Sequence, residues 1–178
     1  MENEKGWEVK SVAGVCERIL GGGTPSKQKP EYYAGNIPWV TPKDMKSILI
    51  SDSIDHVSEE AIANSSAKPI PPRSILMVIR SGILKRMLPV ALNTVSVTIN
   101  QDMKAFIPNK NVTTEYLLYF FIMVQKDILK NVRAVTADNI EFGVIRKLQV
   151  PLPPLPNPIR RHCCENRRPK SSRPACIE

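Results

Sequence analysis

The segment Ser74-Ile75-Leu76-Met77-Val78-Ile79-Arg80 constrains the fold more than any other stretch of the chain. A run that is apolar along most of its length, with no polar alternation, reads as a strand covered on both faces. Ile70-Pro71-Pro72-Arg73 turns the chain into it and Ser81-Gly82 stops it. A strand of that kind needs neighbours. Ile37-Pro38-Trp39-Val40 reads as one short strand, with Thr41-Pro42-Lys43-Asp44 as the turn leaving it, and further strands are expected around 88–92, 94–99 and 103–107.

Helices fill the gaps between these strands. Ser11 caps an expected helix reaching about Leu20, which Gly21 to Gly23 end by permitting positive φ. A short helix is expected from Ser58 to Asn64, with Glu59 and Glu60 suited to its first turn. Thr113 or Thr114 caps the longest helix, which runs to about Asn131 with an apolar stripe of Leu117, Leu118, Phe120, Phe121, Val124 and Ile128. Another helix is expected over 137–148, opening with Asp138, and Val150 to Pro156 is too proline-rich to be anything but extended. Short strands and a few helices without regular βαβ alternation indicate an α+β domain over residues 1–156. Residues 157–178 form an irregular basic tail.

Net charge is +8; residues 157–178 hold six Lys and Arg against two Glu, and residues 1–156 hold nineteen against fifteen, so each part carries half of the excess. The body is therefore mildly basic, which is compatible with nucleic acid. No apolar run approaches the ~18 residues of a membrane span, and MENEKGWEVK is not a secretory signal, so a cytoplasmic location is expected. Cysteines occur at 16, 163, 164 and 176; the adjacent pair after His162 lacks the C-x₂₋₄-C spacing of structural zinc sites, and reduced thiols are expected.

The stretch LGGGTPSKQ, Leu20 to Gln28, invites a phosphate-loop reading and fails it. Counting from Gly21, Ser26 stands where the second glycine belongs, Gln28 replaces the Mg²⁺-binding hydroxyl, and Pro25 removes an amide. Catalytic motifs are also missing: there is no G-x-S-x-G, H-E-x-x-H or C-x-x-C, and the histidines are His56 and His162 alone. A DNA amino-methyltransferase would need an N/D-P-P-Y-type motif and a glycine-rich cofactor loop, and neither is present. The chain reads as a binding module without enzymatic activity or cofactor.

Four segments, in this order and spacing, resemble the specificity subunits of type I DNA restriction-modification systems: GGGTPSKQKPEYYAGNIPWVTPKDM (21–45), HVSEEAIANSSAKPIPPRSILMVIRSGILKR (56–86), LPVALNTVSVTINQDMKAFIP (88–108) and LQVPLPPLP (148–156). The resemblance spans residues 7–156. It implies an α+β target-recognition domain that binds one half of a split double-stranded DNA target and is not catalytic by itself. Modification subunits carrying S-adenosylmethionine and ATP-dependent restriction subunits are the implied partners. On this reading Lys27 and Lys29 meet DNA phosphates, with Thr24 and Ser26 as further donors, unless the loop is simply a solvated surface. Arg80 beside Ser81, followed by Lys85 and Arg86, together with Lys43, Asp44, Asn100 and Gln101, either reach base edges or build turns. Tyr32 and Tyr33 either lie against sugars or pack into the body. The alternative function is a regulatory module whose basic surface binds RNA or an acidic partner.

The resemblance also implies a conserved helix after P-L-P-P-L-P that docks the modification subunits, and NPIRRHCCENRRPKSSRPACIE has no helical apolar stripe. A frameshift accounts for this, since 157–170 can be encoded by codons that, read one nucleotide later, give TQSAAIVAKIDDLK. Docking would then be impaired and the tail disordered; a native DNA-binding basic tail is the rival reading.

Overall fold

The computed structural model describes residues 7–133 and 139–154. Their elements are β1 (Glu8–Ser11), α1 (Val12–Val15), β2 (Cys16–Gly21), β3 (Ile37–Val40), β4 (Leu49–Ile50), β5 (His56–Val57), α2 (Glu59–Ala63), β6 (Ile75–Val78), β7 (Val90–Asn93), β8 (Thr98–Ile99), β9 (Met103–Pro108), α3 (Thr114–Arg133), α4 (Phe142–Lys147) and β10 (Gln149–Leu152). The tail from 157 onward lies outside the described residues, and with it the expectations of disorder and of a frameshifted helix.

The apolar run is the centre of the molecule, as its composition required. β6 is the middle strand of a five-stranded sheet ordered β2-β9-β6-β7-β4, and every one of its side chains is fully buried. It pairs antiparallel with β9 on one edge and β7 on the other. α3 covers this sheet, packing on β6, β7 and β9. Five of its six expected stripe residues, Leu117, Leu118, Phe120, Phe121 and Ile128, are buried, while Val124 is partly buried against the same core. Phe121 meets Phe106 of β9 with ring centroids 5.1 Å apart, and Phe120 meets Phe121 at 5.8 Å. Thr113 caps the helix, its Oγ1 accepting from the Tyr116 N–H at 3.2 Å.

A smaller sheet, β5-β3-β8, stands beside the large one with its own core of Tyr32, Trp39, Val57 and Ala61. α2 closes that core, capped by Ser58, whose Oγ accepts from the Ala61 N–H at 3.2 Å. β1 and β10 form a separate antiparallel pair, so the extended proline segment becomes a strand.

Two helix expectations are corrected. Ser11 does cap a helix, but α1 ends at Val15 and the chain continues as β2. Val12, Val15, Cys16, Ile19 and Leu20 fall at helical spacing, yet Ile19 and Leu20 pair with Phe106 and Ala105 of β9. The tertiary demand for a strand against the exposed edge of β9 overrides the local periodicity. The helix expected over 137–148 is only α4, because the Ile140 N–H donates to Ile79 O at 2.8 Å and Arg80 bridges Asn139, extending the backbone there. Residues 137 and 138 lie outside the described residues.

The glycine run is also corrected. Gly21 to Gly23 end a strand rather than a helix and do not adopt positive φ. What they permit is close approach: a Cβ on Gly22 would collide with the backbone of Ile99 and Asn100, and one on Gly23 with Ser66 and Ala67. Gly22→Ala should therefore cost about 1–3 kcal/mol of stability, read as a lower urea midpoint; an unchanged midpoint would contradict this packing.

Asn93, fully buried, ties the turn before β6 to β7. Its Oδ1 accepts from the Ser74 N–H at 2.8 Å, and its Nδ2 donates to Pro71 O and Val95 O, each at 2.8 Å. Asn93→Ala removes three hydrogen bonds, one of them holding the buried Ser74 N–H, and should cost about 1–3 kcal/mol, with the slope of the urea transition unchanged.

Candidate nucleic-acid interface

Strands from both sheets finish at one place. β3 and β8 run parallel, and β2 and β6 each end beside the beginning of β9. The junction is the turn Asn100-Gln101-Asp102, which carries the chain from β8 in the small sheet to β9 in the large one. The Asn100 N–H donates to Val40 O at 3.1 Å, and the Gly23 N–H donates to Ile99 O at 2.9 Å. Asp102 O accepts from the N–H groups of Ile79 (2.8 Å) and Arg80 (3.1 Å) at the end of β6. The Trp39 indole donates to Gly23 O at 3.0 Å, which binds the glycine-rich loop to β3.

Side chains lock the turn further. Asn100 Oδ1 accepts from the Asp102 N–H at 3.1 Å while its Nδ2 donates to Asp102 Oδ2 at 3.0 Å. Arg80 Nε donates to Asp102 Oδ1 at 2.7 Å. Thr24 Oγ1 donates to Gln101 Oε1, closing the loop after the glycines onto the turn.

Above this junction lies a concave recess of about 630 Å³. Tyr33 and Trp39 form an aromatic wall, edge to face with centroids 5.8 Å apart. Burial, with the charge of Asp55 second, raises the Tyr33 phenol above its ordinary value, so it is neutral at pH 7. Its hydroxyl donates to Pro25 O at 2.7 Å and anchors the loop that carries Lys27.

Seven of the residues singled out in the sequence line this recess: Thr24, Lys27, Tyr33, Lys43, Ser81, Asn100 and Gln101. Lys27 and Lys43 are exposed and have no partner among the described residues. Gln101 is exposed, and its amide nitrogen donates to nothing among them. Asn100, by contrast, is buried and both ends of its amide are engaged by Asp102.

The others lie apart from the recess. Asp44 builds the turn after β3: its Oδ2 accepts from the Thr41 N–H (2.8 Å) and hydroxyl (2.9 Å), and its Oδ1 from the Ile54 N–H (2.9 Å). Tyr32 is buried in the small core, and its hydroxyl accepts from Lys29 Nζ at 3.0 Å. That hydrogen bond, followed by the charge interaction with Tyr32, holds the Lys29 pKa above its ordinary value, and the ammonium lies 4.8 Å from the ring centroid. Ser26 shapes the loop, its Oγ accepting from the Gln28 N–H at 3.3 Å. Arg80 is exposed beside the recess, while Lys85 and Arg86 occupy and follow the short helical turn after Ser81.

Sequence reasoning passed over Asp55, Asp102 and Trp39. Trp39 was legible only as a strand residue, and Asp102 gains its role from pairings distant in sequence. Among the described residues no cluster of His, Cys, Asp and Glu can hold a metal ion, and no helix is long and apolar enough to cross a membrane. Burial pushes the Cys16 thiol up to about 12, which leaves it protonated and unreactive at neutral pH.

The chain has clear relatives. The model of the type I restriction modification DNA specificity domain matches residues 4–158. The specificity subunit of the type I restriction enzyme EcoR124I/EcoR124II from Escherichia coli is 39% identical over 155 residues, covering 85% of this chain and 38% of that protein. The MjaIX specificity subunit from Methanocaldococcus jannaschii is 32% identical over 154 residues, covering 84% of this chain and 34% of the relative. The chain thus spans little more than a third of the length of these relatives. The crystal structure of the HsdS subunit from Thermoanaerobacter tengcongensis shares the fold with a TM-score of 0.65 at 19% identity, over 87% of this chain and 35% of that one. By sequence and by fold, the chain belongs to the family of type I restriction modification DNA specificity domains.

Proposed function

We propose that this domain reads one half-site of a split double-stranded DNA target and performs no chemistry itself. The observation that carries this reading is the set of uncommitted groups around one recess: the ammonium groups of Lys27 and Lys43 and the free amide nitrogen of Gln101. Family membership favours DNA over RNA or an acidic partner. Modification and restriction subunits of a type I complex are the proposed partners, as the names of the relatives imply for those proteins.

Positioning and reading fall to different side chains. Lys27 and Lys43 are flexible point charges suited to phosphate, and their binding releases counterions whatever the sequence. Lys29, steadied by Tyr32, and the hydroxyls of Thr24, Ser26 and Ser81 are weaker contributors to the same contact. Arg80 differs because Asp102 already holds its Nε at 2.7 Å. The anchored guanidinium presents its outer nitrogens as a fixed fork, the geometry that meets O6 and N7 of guanine. Asn100 and Asp44 support this surface from beneath, since their polar atoms are committed within the protein.

Fluorescence anisotropy of the full chain, on a duplex selected from a random library and on a scrambled one at several salt concentrations, tests this division. Lys27→Ala and Lys43→Ala should each weaken both complexes alike and flatten the logarithmic salt dependence by about one unit. Arg80→Ala should cost about 1–3 kcal/mol on the selected duplex and much less on the scrambled one. Equal losses for all three variants on both duplexes would refute the division, and binding confined to RNA would refute the function.

A further inference from the structure

Building on the DNA-reading assignment, we propose that Asp55 is a specificity residue of the recess, accepting a hydrogen bond from the exocyclic amino group of a base. Asp55 lines the recess together with Lys27, Lys43 and Gln101. Its backbone is fixed: its carbonyl accepts from the Trp39 N–H at 2.9 Å and from the Ser53 hydroxyl at 2.6 Å. The next two residues are β5, paired in register with β3 through Pro38–His56 and Ile37–Val57. The carboxylate is therefore presented from a rigid sheet edge and not from a wandering loop.

What sets Asp55 apart is that its carboxylate oxygens accept no hydrogen bond from the described residues. The neighbouring acids are all occupied. Asp44 holds its turn with both oxygens, Asp102 binds Arg80 and Asn100, and Asp52 takes the Ser53 N–H and the His56 ring. An uncommitted carboxylate on a surface that meets phosphates is repelled by every phosphate, which offers no donor. It becomes favourable only where DNA presents a hydrogen-bond donor. In the major groove those donors are the amino groups of cytosine N4 and adenine N6. The aromatic wall of half-buried Tyr33 and buried Trp39 beside it limits competing water.

The test uses the full chain and the duplex that the wild type selects from a random library. Each base pair is replaced in turn, cytosine to thymine and adenine to guanine, so that a carbonyl stands where the amino group was and the amino group passes to the opposite strand. Wild type should lose about tenfold or more in affinity at the position Asp55 reads, and Asp55→Ala should lose less than twofold there. Penalties at the other positions should survive in the variant, which also shows that it is folded. Whether the relieved position held cytosine or adenine identifies the amino group. The inference is overturned if Asp55→Ala keeps the wild-type penalty everywhere, or binds every duplex more tightly by the same factor, as loss of a repulsive charge alone would do. A wild type without sequence preference would instead overturn the DNA-reading assignment and this inference with it.

Discussion

Asp102 makes more of this structure dependent on it than any other residue. Its carbonyl accepts the two backbone donors at the end of β6, its carboxylate holds Arg80 and Asn100, and its own N–H is bonded to the Asn100 side chain. Through these contacts the chain crosses from the small sheet to the large one without leaving a buried polar group unmet; among the described residues no buried side-chain nitrogen or oxygen lacks a partner. The junction is local in space and dispersed in sequence. β3, β6, β8 and the glycine-rich loop all end on it.

That arrangement supports the proposed recognition surface. Strand ends are where the backbone ladder stops and side chains can project beyond the sheet, on a base that cannot shift. The core beneath is rigid: β6 is buried along its whole length, and α3 presses Phe120 and Phe121 against the sheet. Gly22 and Gly23 let the loop carrying Thr24 and Lys27 lie directly on this base, since any Cβ would hold it off. A fixed platform bearing exposed ammonium groups is the combination that the proposed reading of a rigid duplex requires.

Much of this was legible in the sequence, for identifiable reasons. The apolar run of β6 and the stripe of α3 announce themselves by composition and period, and Ser58 and Thr113 by cap chemistry. β2 was not legible, because Val12, Val15, Cys16, Ile19 and Leu20 satisfy a helical period that the pairing with β9 overrides. The glycines were noticed for the wrong property, flexibility instead of thinness. Of the lysines chosen by residue type, Lys27 and Lys43 line the recess while Lys29 and Lys85 do not. Asn100 and Asp44 were left open between two uses because the same polar groups that read bases also build turns, and only their partners tell the two apart. Asp55 carried no local signal: its interest lies in a carboxylate that accepts no hydrogen bond from the described residues, a property that exists only in three dimensions.

The claim that the strand-end junction is the recognition surface is tested most directly by a hydrogen-exchange footprint of the full chain with and without its selected duplex. Bound DNA should slow exchange in 23–29, 41–44, 80–86 and 100–102, and leave the solvent-facing side of α3 and the β1–β10 pair unchanged. Protection centred on α3 or on the β1–β10 pair, with the junction unaltered, would contradict the account.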